Sequence, residues 1–278
     1  MPAIQVLKKK LRGIQSTQKI SKAMKTISSI KISQLTTVYN NYNEYGIQCE
    51  KLYEEYKSDL LAALPPMNEN APVCYIVIAS NKGLCGGFNS DLLKFANEEI
   101  ENSTKEYTLI ACGKQAITYF NNKHKEFEKS FVFNDIPDYS EANDLLNYII
   151  DLRNSQKISS VKVIYQKYAN MMKQTPCVQE LFCDDDNQKA NSGTLLMPDK
   201  QMVIENVAPV VFQSIFYKLL LEVALGANAS TLMTMRSAYD TATEYCAQLE
   251  SEINRQRQSA VTADVLETAS EFTEQGGN

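Results

Sequence analysis

Seven of the eight prolines in this chain lie between Pro65 and Pro209, leaving both ends almost free of helix breakers. Proline fixes φ and removes a backbone donor, so a segment without it can run as unbroken helix. Pro2 is compatible with a first helical turn. Residues 3–62 and 210–275 contain only Gly13, Gly46 and Gly226 as weak breakers. The expected organisation is an N-terminal helix over 1–62, a central domain over 70–200 and a C-terminal helix over 205–275.

Apolar spacing supports both helices. Ile4, Leu7, Leu11 and Ile14 follow a 3-4 alternation, as do Leu35, Val38, Tyr42, Tyr45, Cys49, Leu52 and Tyr56. Between them Ile20, Met24 and Ile27 fall off the first register, which reads as a slip of phase. Leu232, Met235, Tyr239, Ala242, Cys246, Leu249 and Ile253 keep the alternation without a break. Such narrow stripes are coiled-coil seams. A helix of about 60 residues is on the order of 90 Å long, more than a domain of this size can cover, so it is expected to project and to need a partner along its length. The other terminal helix is the matching partner, giving an antiparallel coiled coil.

Charge is partitioned in the same way. The net −5 hides a segment from Met1 to Asn43 with eight bases (Lys8, Lys9, Lys10, Arg12, Lys19, Lys22, Lys25, Lys31) and no acid. From Glu205 onward there are ten acids and four bases, so the ends carry +8 and −6 and the middle −7. Opposite charge would bias the helices toward each other, although exposed pairs contribute only about 0–1 kcal/mol each. One acidic neighbour cannot satisfy every lysine of the first helix, so some must face solvent or another protein. The acidic total gives no support to a nucleic-acid partner.

The centre alternates strand and helix. Val73–Ala79 is a continuous apolar run that reads as a buried strand, followed by a glycine-rich turn and a helix from Ser90 to about Asn102. A second strand, Tyr107–Cys112, leads through Gly113 into another helix. A helix over Glu141–Arg153 and strands over Ser160–Gln166 and Val178–Phe182 complete an α/β, Rossmann-like domain with a mainly parallel sheet. The Gly83, Gly86, Gly87 spacing matches neither a dinucleotide fingerprint nor a Walker loop, and reads as a tight turn where another backbone comes close.

Chemical candidates are few. Seven scattered cysteines without a Cys-x-x-Cys pair, and the single His124, offer little to a metal. Most of the cysteines read as small buried hydrophobes, with Cys177 and Cys183 on one strand face. Asp184, Asp185 and Asp186 read as a solvated loop, and no catalytic triad or nucleophile elbow is present. The N-terminus lacks the apolar stretch of a secretory signal and the arginine enrichment of a transit peptide. No run approaches the roughly 18 apolar residues of a membrane span, so a cytosolic or peripherally bound protein is expected. A coiled-coil adaptor and an α/β enzyme with helical arms are the alternatives to the reading that follows.

Three segments carry a resemblance: Ile14-Gln-Ser-Thr-Gln-Lys-Ile-Ser-Lys-Ala-Met-Lys-Thr-Ile-Ser28, Ser80-Asn-Lys-Gly-Leu-Cys-Gly-Gly-Phe-Asn89 and Asn254-Arg-Gln-Arg-Gln-Ser-Ala-Val-Thr262. In this order they resemble the gamma subunits of rotary F-type ATP synthases. The resemblance implies a non-catalytic central stalk, with the terminal helices inside a ring of alpha and beta subunits and the α/β foot beside epsilon on the membrane c-ring. It implies no cofactor of the chain's own, nucleotide chemistry on beta, proton or sodium as coupling ion, and a place on the cytoplasmic face of a bacterial membrane. Lys19, Lys22, Lys25, Asn254, Arg255, Arg257, Gln258 and Thr262 are the positions it assigns to alpha and beta contacts. The chain departs from the family in having Gly226-Ala227 for a Ser-Glu pair, Thr231-Leu232 for an Arg-Met pair, Thr26-Ile27 for Met-Val, and Gly276-Gly-Asn278 for a small apolar tail. It lacks the inserted cysteine pair of the chloroplast members.

Overall fold

A computed structural model describes residues 2–182 and 199–275, and side chains over 4–182 and 199–266. The elements are α1 (Pro2–Ala62), β1 (Val73–Ile78), α2 (Phe88–Glu101), β2 (Tyr107–Cys112), α3 (Lys114–Asn122), β3 (Lys129–Phe131), α4 (Tyr139–Asn154), β4 (Ser160–Asn170), β5 (Lys173–Leu181) and α5 (Lys200–Gln275). The chain divides into two compact units, one of Met1–Ile27 with Leu232–Asn278, the other Ser28–Thr231. The division cuts both long helices instead of falling at their ends, because residues 28–62 and 200–231 belong to the core built around the sheet.

In the larger unit the five strands run in the order β3-β2-β1-β4-β5. β1 pairs in parallel with β2 and β4, β2 in parallel with β3, and β4 antiparallel with β5. One face of the sheet is covered by α2 and α3, through Leu92, Leu93, Ala96, Ile100, Ala116 and Phe120. The other packs against α4 and the helices α1 and α5, through Leu35, Tyr56, Leu60, Leu145, Ile149, Phe212, Phe216 and Leu220. β1 is buried on both faces, as a central parallel strand requires.

Several boundaries differ from the sequence expectation, each for a local reason. α4 starts at Tyr139, two residues early, because Asp138 accepts from the N–H groups of Ser140 and Glu141 while the Glu141 carboxylate accepts from the Asp138 N–H, a complete capping box. β5 begins at Lys173, since Pro176 is tolerated on an edge strand. The short β3 was not expected from sequence. α5 begins at Lys200 and carries Pro209 inside it. Pro209 is exposed, so the carbonyl it leaves unpaired can meet water, while Ile204 and Ala208 anchor that first stretch in the core.

An 18-residue window of α5 has mean hydropathy 1.6, long and apolar enough to cross a bilayer, and 67% of it is buried inside the protein. The expectation of no such stretch is therefore corrected. Scattered polar residues such as Ser214, Lys218 and Glu222 break the continuous runs but leave the average high. Phe212, Phe216, Leu219, Leu220, Leu221, Val223 and Leu225 on this helix are each at most 5% exposed and form a core for the sheet and α1.

The six described cysteines are free, and all but Cys177 are buried. Burial pushes the Cys74 thiol up to about 12 and raises Cys112 further, which keeps both protonated and apolar in behaviour. Cys183 and Asp184, Asp185 and Asp186 lie outside the described residues. Gly113 is the glycine that conformation and space both demand. Its φ is 88°, and a Cβ there would sit 2.1 Å from the Ala79 carbonyl oxygen. Gly113→Ala is predicted to destabilise the protein by about 2 kcal/mol or more, because a left-handed backbone and a backbone clash combine. Equilibrium urea unfolding of the variant beside Gly83→Ala checks this, since a Cβ at Gly83 meets nothing within 4 Å.

Candidate partner-binding surface

All eight residues assigned to partner contacts lie in the smaller unit. There the start of α1 lies antiparallel to α5: Gln18 Nε2 donates to Thr243 Oγ1 at 2.8 Å, and Lys10 and Lys25 place their ammonium groups 5.1 and 5.3 Å from the ring centres of Tyr245 and Tyr239. On α5 the seam is the expected one, with Met235, Ala242, Cys246 and Leu249 buried.

The seam of α1 does not slip. Its shielded positions are Ile4, Leu7, Leu11, Ile14, Gln18, Ser21 and Lys25 in the smaller unit, then Ser28, Ile32, Leu35, Tyr39, Tyr42, Gly46, Cys49, Tyr53, Tyr56 and Leu60 in the larger. The 3-4 alternation holds throughout, but from Gln18 to Ser28 its members are polar or small. Ser21 and Ser28 are each only 3% exposed, whereas Ile20 is 57% exposed and Ile27 47%. Tyr45 and Leu52, expected in the seam, are also exposed, displaced by Gly46 and Tyr53 one position later.

The outward face of α1 therefore mixes charge with apolar surface. Val6, Ile20 and Ile27 stand on one heptad line, and Lys8, Lys9, Lys19 and Lys22 are exposed around them. Lys25 is held differently, half-buried over Tyr239. On α5, Asn254, Arg255, Arg257, Gln258 and Thr262 are all exposed. Arg255 is engaged by Glu252 through two hydrogen bonds of 3.0 Å, and those bonds hold the Glu252 carboxyl below its ordinary range. Thr262 Oγ1 donates back to the Gln258 carbonyl. The Gln18 to Thr243 pairing puts Lys19 and Lys22 roughly 20–24 Å from Arg255 along α5 at helical rise. The eight residues form two clusters along one helix pair, and Lys25 belongs to the seam. Sequence reasoning missed Ile20 and Ile27 as surface; continuing the register of Ile4–Ile14 by 3 and 4 finds them.

In the larger unit, the crevice at the carboxyl ends of β1 and β4 is where doubly wound sheets take ligands. Here it is filled. Gln166 Nε2 donates to the Phe88 carbonyl at 2.9 Å, the Phe88 ring packs against Gly226 so closely that a Cβ there would lie 2.9 Å from it, and Ser230 Oγ donates to the Cys85 carbonyl at 2.6 Å. The Asn89 side chain accepts from the Ser80 N–H and donates to Ser80 Oγ, the Lys82 carbonyl and Cys85 Sγ, which pins the loop from within. Asp135 bonds both Lys31 of α1 and Lys82 of the loop. The tight-turn reading holds at Gly86, whose φ is 56°, whereas Gly83 has open space around it.

The sequence profile of the family described as ATP synthase matches residues 3–272. The ATP synthase gamma chain of Leptospira biflexa is 30% identical over 274 residues, covering 94% of this chain and 95% of that protein. This chain belongs to the ATP synthase gamma-chain family. Its fold is also that of a chain in the mitochondrial ATP synthase of Euglena gracilis, described with OSCP, F1 and c-ring, at TM-score 0.74, 17% identity, and 99% and 95% coverage of the two chains. A chain of the rotor of the same Euglena complex matches at TM-score 0.69 with 16% identity, covering 94% of this chain and 99% of that one. The gamma-chain family accounts for both long helices and the mainly parallel sheet.

Because Lys25 sits over an aromatic ring while Lys22 points to solvent, their alanine variants are predicted to separate. Lys25→Ala should lower stability by about 0.5–1 kcal/mol, and Lys22→Ala should leave it within about 0.5 kcal/mol of the parent, as read by thermal unfolding of the isolated chain.

Proposed function

We propose that this gamma chain is the rotor shaft of a rotary ATP synthase and carries no catalytic site itself. The helix pair works inside the alpha and beta ring, and the foot over 70–200 works with epsilon and the membrane c-ring on the cytoplasmic face of a bacterial membrane. Flow of protons or sodium ions turns the ring and shaft, and the shaft's changing contacts drive the beta sites through different nucleotide affinities.

The observation that carries this reading is the outer face of α1, where exposed Lys8 and Lys9 stand near Val6, and exposed Lys19 and Lys22 flank Ile20 on the heptad line that continues to Ile27. Exposed apolar side chains beside a run of exposed lysines suit a protein partner with acidic and apolar groups better than bulk water. Arg257, Asn254 and Gln258 supply a second polar cluster on α5. Contacts of this kind are individually weak, which suits a surface that must form and release them in turn: each exposed pair contributes up to about 1 kcal/mol.

Two results test the proposal. ATP hydrolysis by alpha and beta is expected to rise several-fold when this chain is added, and an unchanged rate together with failure to co-purify contradicts the shaft reading. The double variant Lys19→Glu, Lys22→Glu is expected to weaken assembly by about fivefold or more at low salt, as two exposed pairs of up to about 1 kcal/mol each allow. The defect should shrink as added salt screens those charges.

A further inference from the structure

Glu222 stands on α5 beside β4, and its Oε2 is sealed from solvent with no hydrogen-bond partner among the described residues. Lys218, one helical turn earlier, is placed to neutralise it. Its ammonium is instead bonded to the Glu50 carboxylate on α1. The lysine that holds Glu50 on α1 thus stands one helical turn from the Glu222 carboxyl.

The surroundings on every packed element leave the competition open. α1 presents Glu50 and Tyr39, β4 presents Lys167, Tyr165 and the backbone N–H of Tyr168, and β5 presents Cys177. Lys167 is exposed and lends only part of its charge. Burial dominates over both lysines, and the Glu222 carboxyl is pushed above the ordinary carboxylate range. Burial also opposes the Lys218 charge, yet the hydrogen bond and charge of Glu50, with smaller contributions from Glu222 and Tyr39, more than offset it and hold the ammonium above its usual value. Taking a carboxylate out of water shifts its balance toward the neutral acid, and an ion pair shifts it back.

We propose that Glu222 is a proton-operated latch in the larger unit: neutral, it leaves Lys218 to tie α5 to Glu50 of α1, and ionised, it draws Lys218 away and loosens that tie. The step is a simple ionisation, with the proton passing to water and no other reactant. Because the folded carboxyl binds its proton more tightly than the unfolded one, its stabilising effect is complete below the ordinary carboxylate value. It is lost as pH rises through the raised folded value. This device does not rest on the rotary reading, and its test uses the full chain alone, so the two can fail separately.

The test compares the parent with Glu222→Gln by thermal unfolding across pH, with infrared detection of the protonated carboxyl. The parent midpoint is expected to fall relative to Glu222→Gln as pH rises above the carboxylate range, by about 2–4 °C, and a protonated carboxyl band should persist there and vanish in the variant. A double-mutant cycle of Lys218→Met and Glu50→Gln, run at about pH 5.5 and about pH 8.5, both above the ordinary carboxylate range, reads the latch itself. Its coupling should weaken at least about twofold at the higher pH. Parallel pH profiles for parent and Glu222→Gln, or a Lys218–Glu50 coupling that is the same at both pH values, would overturn the proposal.

Discussion

The constraint on which the rest depends is the 3-4 seam of α1. A side chain on that seam faces α5 whether or not it is apolar, because helical geometry fixes direction before chemistry is consulted. Between Gln18 and Ser28 the seam is filled by an amide, two serines and a lysine lying over Tyr239. The apolar residues of this stretch are consequently displaced to the outside, where Ile20 and Ile27 join the lysines. The weak part of the helix pair and the sticky part of its outer face have one origin.

The larger unit solves a different problem. α5 contributes a stretch apolar enough for a membrane, and the sheet and α1 cover it from water. The missing Cβ of Gly226 lets the Phe88 ring approach, and the loop after β1 is closed by Asn89. The place where related sheet topologies accept a ligand is thereby spent on packing. Polar contacts then tie the helices to the loops around the sheet and to each other: Asp135 joins Lys31 and Lys82, and Lys218 joins Glu50. Along this part of α1 the acids lie on α1 and the bases on α5, with Lys200 bonded to Asp59 as well. That is the reverse of the bulk charge difference between the two ends.

Much of the architecture was legible because it rests on steric rules that act residue by residue. Proline exclusion marked the helices, and the apolar run of Val73–Ile78 marked a strand buried on both faces. The start of α5 was expected at 205, just before Pro209, and lies at Lys200, because a helical proline costs less where water can reach the freed carbonyl. The seam of α1 misled because hydrophobicity was used as a proxy for direction, and at Ile20 and Ile27 the two part company. Tertiary partnerships such as Glu222 with Lys218 and Glu50 had no signal in the sequence, since their spacing along the chain is arbitrary. Of the eight assigned contact residues, seven are exposed and Lys25 is half-buried against Tyr239.

The unbroken register is open to a direct measurement. In a chain whose native cysteines have been replaced, a short bifunctional thiol reagent is applied to Gln18→Cys paired with Thr243→Cys, and separately to Ile20→Cys paired with Thr243→Cys. The seam described here predicts rapid intramolecular linkage of the first pair and little of the second. Equal linkage of both, or preferential linkage through position 20, would contradict it and restore a slip of phase in α1.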